Sequence, residues 1–231
     1  MIQKKFESAA QAVADMQDGA TLLVGGFGGS GLPSHLVAAL VEQGAKDLTI
    51  VSNNIGAVSD GVAALISNDQ VRKISCSFPV GPHADDLIAR LEKGTIELEI
   101  VPQGTLAERI RAGGAGIAAF YTPTGAHTEL GEGKEEREFN GRLHLMEHAI
   151  VADYAFIKAH RADRWGNLVY RKTQRNFNPV MATAARITIA EVDEVVEVGE
   201  IDPETVVTPS IYVHRLVELS PQKEGKVLVN G

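Results

Sequence analysis

The chain has 231 residues, 44% of them hydrophobic and 23% charged, a composition that suits one globular domain burying its own core. With 22 basic against 30 acidic residues its net charge is −8, which argues against non-specific binding to nucleic acid or to a membrane surface, since both need basic patches. The one cysteine, Cys76, excludes an internal disulfide framework, no apolar run approaches the ~20 residues of a membrane span, and Met1–Glu7 lacks a signal-peptide core, so a cytoplasmic location is expected.

In chain order, a helical pattern covers Phe6–Met16 and a short apolar run, Leu22–Val24, reads as a strand. That strand ends in Gly25-Gly26-Phe27-Gly28-Gly29-Ser30-Gly31-Leu32-Pro33 and leads into a helix expected over Pro33–Glu42, with Pro33 suited to its first turn. A glycine-rich strand-to-helix turn brings backbone N–H groups to a ligand unobstructed, and the helix N-terminus adds partial positive charge, so an anion or oxyanion is expected there. Gly26–Gly31 also spells the dinucleotide fingerprint G-x-G-x-x-G. That fingerprint wants an acid at the end of the next strand. The next strand, Leu48–Val51, ends in Ser52-Asn53-Asn54, and Asp47 precedes it, at the wrong end of the sheet. The nicotinamide reading is therefore demoted, and a P-loop is excluded because no Gly-Lys-Ser/Thr follows the glycines.

Further strands are expected at Val71–Ser75 and Ile96–Val101, with helices at Ala84–Lys93 and Leu106–Ala112. This alternation predicts parallel βα units in an open α/β sheet, whose ligands collect beyond the carboxyl ends of the strands. The glycine loop, Ser52–Asn54, Cys76–Phe78 and Pro102–Thr105 then share one rim. From Gly113 to Arg142 the pattern dissolves into Gly, Thr, Pro and charge, which reads as a structureless insertion serving as a lid or interface, or, for Gly131–Arg137, as a solvated loop. Beyond it the texture is β-rich, with strands at Tyr154–Lys158, Asn167–Tyr170, Arg186–Ala190, Glu194–Val198 and Ile211–Leu219, and a helix at Asn178–Ala185. No linker divides the chain, so residues 1–231 are taken as a single domain, with a frayed polar end at Ser220–Gly225.

Asn53, Asn54 and Gln103 are neutral amides on the expected rim, able to donate to a carbonyl oxygen or hold a carboxylate, or else to serve as ordinary turn residues. Lys158, Arg161, Arg164, Arg171, Lys172 and Arg175 form a basic island that suits phosphates, carboxylates or an acidic partner, or a solvated face. His144 and His148 have the i, i+4 spacing of helical metal ligands, but a β setting separates them, and no metal is expected. Cys76 lacks a paired base nearby and reads as a small core residue; Glu108 opens a helix, where the dipole accounts for a carboxylate. The chain offers an anion-friendly rim and no nucleophile of its own.

Asp18–Pro33 resembles the first signature of the family I CoA-transferases along its whole length. Ser52-Asn53-Asn54, Pro102–Arg111, Tyr121–Gly125, Gly166-Asn167-Leu168, Arg175-Asn176-Phe177-Asn178 and Ile211–Arg215 are similar to further stretches of that family, so the likeness runs from about Asp18 to Leu219. It is nearest to the A (alpha) subunits that act on succinyl-CoA and a 3-oxoacid, acetoacetate or 3-oxoadipate. The resemblance implies a CoA-transferase-like fold and ping-pong transfer through a glutamyl-CoA thioester, with no cofactor beyond the CoA thioester substrate. It implies a B (beta) subunit in an AB or A2B2 heteromer, because the family's glutamate precedes Asn-Gly, and here only Phe139-Asn140-Gly141 and Val229-Asn230-Gly231 occur. It assigns Gly25, Gly26, Phe27, Gly28, Gly29, Ser30 and Gly31 to the CoA or oxyanion loop, and Asn53, Asn54 and Gln103 to the substrate pocket. Val80–Asp85 departs from the form of either close branch, which leaves the acceptor open. A non-catalytic acyl-CoA or sugar-phosphate sensor is the competing reading, by fold analogy alone.

Overall fold

Leu22, Leu23 and Val24 are all fully buried, Leu22 and Val24 in one apolar cluster and Leu23 in another, so this strand is covered on both faces. Such burial is what a parallel sheet between helical layers requires. The computed structural model describes residues 4–55 and 57–219. In chain order its elements are β1 (Lys5–Phe6), α1 (Ala9–Val13), β2 (Thr21–Val24), α2 (Ser34–Gln43), β3 (Leu48–Asn54), α3 (Val62–Ser67), β4 (Val71–Phe78), α4 (Asp85–Glu92), β5 (Glu97–Ile100) and α5 (Gln103–Gly114). They continue with β6 (Ala119–Thr122), β7 (Glu136–Phe139), β8 (Arg142–His148), β9 (Ala152–Asp163), β10 (Leu168–Val169), α6 (Asn178–Thr183), β11 (Ala185–Val196) and β12 (Arg215–Glu218).

The main sheet has the order β1-β12-β11-β9-β2-β3-β4-β5, with every neighbouring pair parallel and β10 added antiparallel to β9. Residues of α1, α2, α3 and α4 pack on the Leu22 and Val24 face, and residues of α5 and α6 on the Leu23 face. The result is an open, mostly parallel α/β sandwich, as the alternating pattern predicts. No helix among the described residues is long and apolar enough to cross a membrane.

Several boundaries differ from the sequence expectation, each for a physical reason. Phe6 is in β1, paired with Val217, and the first helix begins only after Ser8, whose side chain accepts from Gln11 N–H. Pro33 is the N-cap of α2 rather than its first turn. The helix expected from Ala84 to Lys93 keeps those two residues as its caps. The short α3, preceded by Gly61, carries too few periodic positions to register in the sequence, though Val62, Ala63, Leu65 and Ile66 are all buried. Strands β3 and β4 run three residues further than expected, which puts Ser52–Asn54 and Cys76–Phe78 inside the sheet. The expected Ile96–Val101 strand shortens to Glu97–Ile100, and the following helix starts at Gln103 rather than Leu106.

The segment from Gly113 to Arg142 is not structureless. It holds the end of α5, β6, a 3-10 turn at Glu129–Gly131 and β7, and with β8 it makes an antiparallel sheet of order β6-β8-β7. Arg186–Ala190 and the first three residues of Glu194–Val198 belong to one continuous strand, β11, which ends at Val196, while Tyr154–Lys158 lies within the longer β9. Of Asn167–Tyr170 only Leu168–Val169 is strand; of Ile211–Leu219, Ser210–Tyr212 is a 3-10 turn and Arg215–Glu218 is β12; and the Asn178–Ala185 helix ends at Thr183. Ser220–Gly225 and the Val229–Gly231 tripeptide lie outside the described residues.

Candidate functional site

The parallel register puts Val24 beside Ser52 and Phe156, Ser52 beside Cys76, and Cys76 beside Ile100. The carboxyl ends of these strands therefore form one rim, where the glycine loop after β2, the end of β3 and the start of α5 meet. Asp47 precedes β3 at φ 56°, at the opposite end of the sheet from the glycine loop, where no ribose at the rim would meet it.

The three predicted amides join into one hydrogen-bonded chain. Gln103 Nε2 donates to Asn53 Oδ1 at 2.7 Å, Asn53 Nδ2 donates to Asn54 Oδ1 at 3.2 Å, and the same oxygen accepts Gly28 N–H at 2.7 Å. Asn53 is only 3% exposed, so it orients its neighbours, whereas Gln103 is exposed and Asn54 half-buried. Gln103 stands at the first position of α5 because Pro102 begins the helix there, with no N–H of its own to leave unpaired. That helix is braced by Arg109, which donates to Glu99 Oε1 at 2.7 Å and to the carbonyl of His148 at 2.8 Å. Burial pushes the Glu99 carboxyl up, but hydrogen bonds from Ser75 Oγ and Arg109 outweigh it and hold the group below its ordinary range.

Within the loop, Phe27 and Ser30 exchange both backbone hydrogen bonds, making a tight turn that presents Gly28 and Gly29 at its tip. Gly28 has φ +60° and open space around a would-be Cβ, so its lack of a side chain serves the backbone turn and leaves the tip uncovered. Gly25 and Gly31 are glycine for another reason. A Cβ on Gly25 would overlap Asn178 Oδ1, and one on Gly31 would lie 2.8 Å from the carbonyl of Gln174 and 2.9 Å from Asn178 Nδ2. Asn178 is fully buried; its Oδ1 accepts Lys158 N–H at 3.0 Å and its Nδ2 donates to Gly31 O at 3.0 Å and Gln174 O at 2.7 Å.

The N-terminus of α2 is not left for a ligand. Pro33 offers it no side-chain cap; instead Glu191, 1% exposed on β11, accepts His35 N–H at 2.9 Å and Leu36 N–H at 3.2 Å. A carboxylate of the chain thus takes the place where the sequence led us to expect an external anion; the N–H groups of Gly26, Gly29 and Gly31 have no partner among the described residues, and of these only Gly29, at the tip, is exposed. Neither Glu191 nor Asn178 is singled out by spacing, but each left a signal: Glu191 is the lone acid in the apolar run Ile187–Val192, and Asn178 closes Arg175-Asn176-Phe177-Asn178.

Beneath the loop the free volume is only about 10 Å³, enough for a water at most, so a ligand has to approach from outside. On that side a cleft of about 290 Å³ is lined by Phe27, Gln103, Gly104, Ala107, Asn176, Phe177 and Val180. Phe27, at the loop tip, is 51% exposed.

The remaining candidates separate from this site. Cys76 is fully buried, and desolvation pushes its thiol up to about 11, so it is not an activated nucleophile. Glu108 lies in the middle of α5 rather than at its start; it is held low by Arg111, which donates to both of its oxygens. His144 and His148 both lie on β8, where four residues span about 13 Å, and no cluster among the described residues could hold a metal ion. The basic island divides: Lys158, Arg161 and Arg164 pair with Asp193, Glu194 and Glu197 on β11 and just beyond it, whereas Arg171, Lys172 and Arg175 flank the glycine loop.

A family described as coenzyme A transferase matches residues 6–219. The chain is 54% identical over 220 residues to the A subunit of the 3-oxoadipate CoA-transferase of Pseudomonas putida, covering 95% of each. It is 49% identical over 224 residues to the A subunit of the probable succinyl-CoA:3-ketoacid coenzyme A transferase of Bacillus subtilis, covering 97% of this chain and 93% of that one. Its fold is shared with a solved acyl-CoA transferase of Escherichia coli O157:H7, with a TM-score of 0.82 at 23% identity, over 95% of this chain but only 48% of the longer one. With a match spanning nearly every described residue and a glycine loop, amide set and cleft gathered on one rim, this chain belongs to the coenzyme A transferase family.

Proposed function

We propose that this chain is the A subunit of a heteromeric CoA-transferase that moves CoA from succinyl-CoA to a 3-oxoacid, either acetoacetate or 3-oxoadipate. The observation that carries the reading is the continuous set Gln103–Asn53–Asn54–Gly28 beside an open cleft that contains no activated nucleophile. Such a rim suits half of an acyl-transfer site. A glutamate from the B chain of the heteromer attacks the thioester carbonyl, forming an acyl-glutamyl anhydride and releasing the CoA thiolate. The thiolate then attacks the glutamyl carbonyl, giving the glutamyl-CoA thioester and free succinate, and the 3-oxoacid carboxylate runs the same two steps in reverse to leave as its CoA thioester. The N–H of Gly29 at the loop tip faces the oxyanion, and Gln103 and Asn54 hold the acyl carboxylate. On this reading no cofactor is needed beyond the thioester itself, the chain forms one domain, the assembly is AB or A2B2, and it works in the cytoplasm.

The test is transfer by this chain alone and mixed with its B partner, with succinyl-CoA offered to acetoacetate and to 3-oxoadipate. Transfer is expected only from the mixture, and robust turnover by the chain alone would overturn the split site. In the mixture Gln103→Ala is expected to lower kcat/KM about tenfold, the size of one or two lost polar contacts to the reacting group, while sedimentation shows the heteromer still assembled. Unchanged kinetics would remove Gln103 from the pocket.

A further inference from the structure

Among the described residues, the antiparallel sheet β6-β8-β7 gives none to the lining of the cleft, yet it carries a buried carboxylate whose charge has to be met. Glu147 on β8 is 3% exposed. One of its oxygens accepts from Lys134 Nζ at 2.5 Å, and the other lies 3.9 Å from Arg109 Nε on α5. Arg109, itself largely buried, also donates to Glu99 Oε1 on β5 at 2.7 Å and to the carbonyl of His148 at 2.8 Å. Glu99 in turn accepts from Ser75 Oγ of β4 at 2.5 Å. Two carboxylates and two cations therefore make one balanced network from the main sheet through α5 to the small sheet, and Arg109 is the member that joins all three parts.

The place of Arg109 on α5 says what the network does for the rim. The helix presents Gln103 at its first position, and Pro102 gives that end no side-chain cap. Leu106 and Ile110 bury the helix against the sheet. Apolar burial is non-directional, so it sets the depth of a helix more firmly than its rotation or its shift along its own axis. The directional contacts come from Arg109, by its side chain and by its carbonyl, which accepts Ile150 N–H at 2.9 Å. Gln103 lies about 9 Å upstream along the same helix. A small rotation there would carry its Nε2 away from Asn53 Oδ1, which it meets at 2.7 Å.

We propose that Arg109 is a positioning residue of the transfer reaction: held between Glu99 and Glu147, it sets the orientation of α5 and so aims Gln103 at the reacting acyl group. What Gln103 touches rests on the transferase reading; how Gln103 is held rests on the network. The forked guanidinium suits the place because one side chain has to reach two strands at once, which the single ammonium of a lysine does not.

The test takes Arg109→Lys, Gln103→Ala and the double variant, each assembled with the B partner, and measures transfer from succinyl-CoA. Arg109→Lys is expected to lower kcat/KM about fivefold, through kcat with KM changed by less than about twofold, because the cleft is intact and only the aim of one donor is lost. The double variant is expected to be no slower than Gln103→Ala, about tenfold below wild type instead of the roughly fiftyfold to which independent effects would multiply. Losses that multiply, or a loss carried by KM, would reduce Arg109 to a structural residue and overturn the assignment. A second readout needs no turnover. With its glutamines labelled with nitrogen-15, the full chain reports by NMR how fast the side-chain amides of Gln103 and Gln70 exchange with solvent. Gln70 is 2% exposed and donates to the carbonyls of Leu40 and Ala45, so it reports on the fold away from α5. In Arg109→Lys the exchange of Gln103 is expected to rise about threefold with that of Gln70 unchanged. No change at Gln103, or an equal rise at both, would overturn the assignment. Glu99→Gln, which keeps an acceptor for Arg109 and removes the charge, should show the same pattern at a smaller size, and it carries the test if Arg109→Lys does not fold. If Gln103 loosens selectively but the wild-type complex transfers no CoA, the positioning role stands and the transferase reading fails.

Discussion

Gly25→Ala is expected to abolish transfer and to destabilise the chain by about 3 kcal/mol, a fall of roughly 10 °C in Tm. The new Cβ would occupy the position of Asn178 Oδ1, which is fully buried and cannot move into solvent. If Asn178 turns away, Lys158 N–H, Gly31 O and Gln174 O lose their partners together, and each is a buried or half-buried polar group. Gly28→Asn is the matched control. At φ +60° asparagine is tolerated better than most residues, and nothing lies within 4 Å of the added Cβ, so folding should be retained while the loop tip is blocked. Thermal unfolding and turnover with the B partner, measured for both variants, separate the two roles. Equal stability of Gly25→Ala and wild type would show that the hydrogen bonds of Asn178 do not hold the glycine loop against α6.

These two glycines illustrate how the sequence speaks about this site. Gly25–Gly31 reads as a single ligand-facing loop, yet only its tip is open, and its ends are glycine because α6 and the turn before it press against them. That pressure comes from residues nearly 150 positions away in the chain, a separation local patterning does not reach. The parallel strands β2, β3 and β4 were legible because their apolar runs are buried on both faces. The antiparallel β6-β8-β7 sheet was not, since Glu136–Phe139 is exposed along its whole length and has no apolar face to announce it. Asn53, Asn54 and Gln103 were legible as rim residues because strand ends collect ligand groups, but that Asn53 is buried and hydrogen-bonded to both of the others was not. The early start of α5 was hidden behind Pro102, which reads equally as a strand end and as a helix cap.

The expected helix-dipole contribution to ligand binding also changes meaning. Because Glu191 already satisfies His35 and Leu36 N–H, α2 does not supply charge to the substrate; it is pinned, and with it the end of the glycine loop two residues upstream of its first turn. Lys158 lies between Glu191 and Asp193 of β11, 3.6 Å from Glu191 Oε1 and 2.5 Å from Asp193 Oδ1, so the pin joins β9, β11 and α2. A loop whose oxyanion donors must be fixed before the reaction gains from such bracing, since donors that need to reorganise stabilise the transition state less.

Glu191→Ala is accordingly expected to cost about 3 kcal/mol, from two orphaned helix N–H groups and a buried lysine left with one partner instead of two. The loss falls below that of a fully stranded charge because Asp193, 41% exposed by its side chain, still neutralises Lys158. Glu191→Gln keeps an acceptor for His35 and Leu36 and should cost about half as much. Transfer with the B partner is expected to fall about tenfold in Glu191→Ala, through kcat rather than KM, because the loop loses its orientation while the cleft is intact. The double variant Lys158→Met with Glu191→Leu removes the buried charge along with its partner and should recover much of the stability but little of the turnover, since α2 remains uncapped. Urea denaturation of the four proteins, paired with steady-state kinetics, decides the point. If the double variant recovered full kcat, the cap would have no part in holding the loop, and Glu191 would be present only to neutralise Lys158.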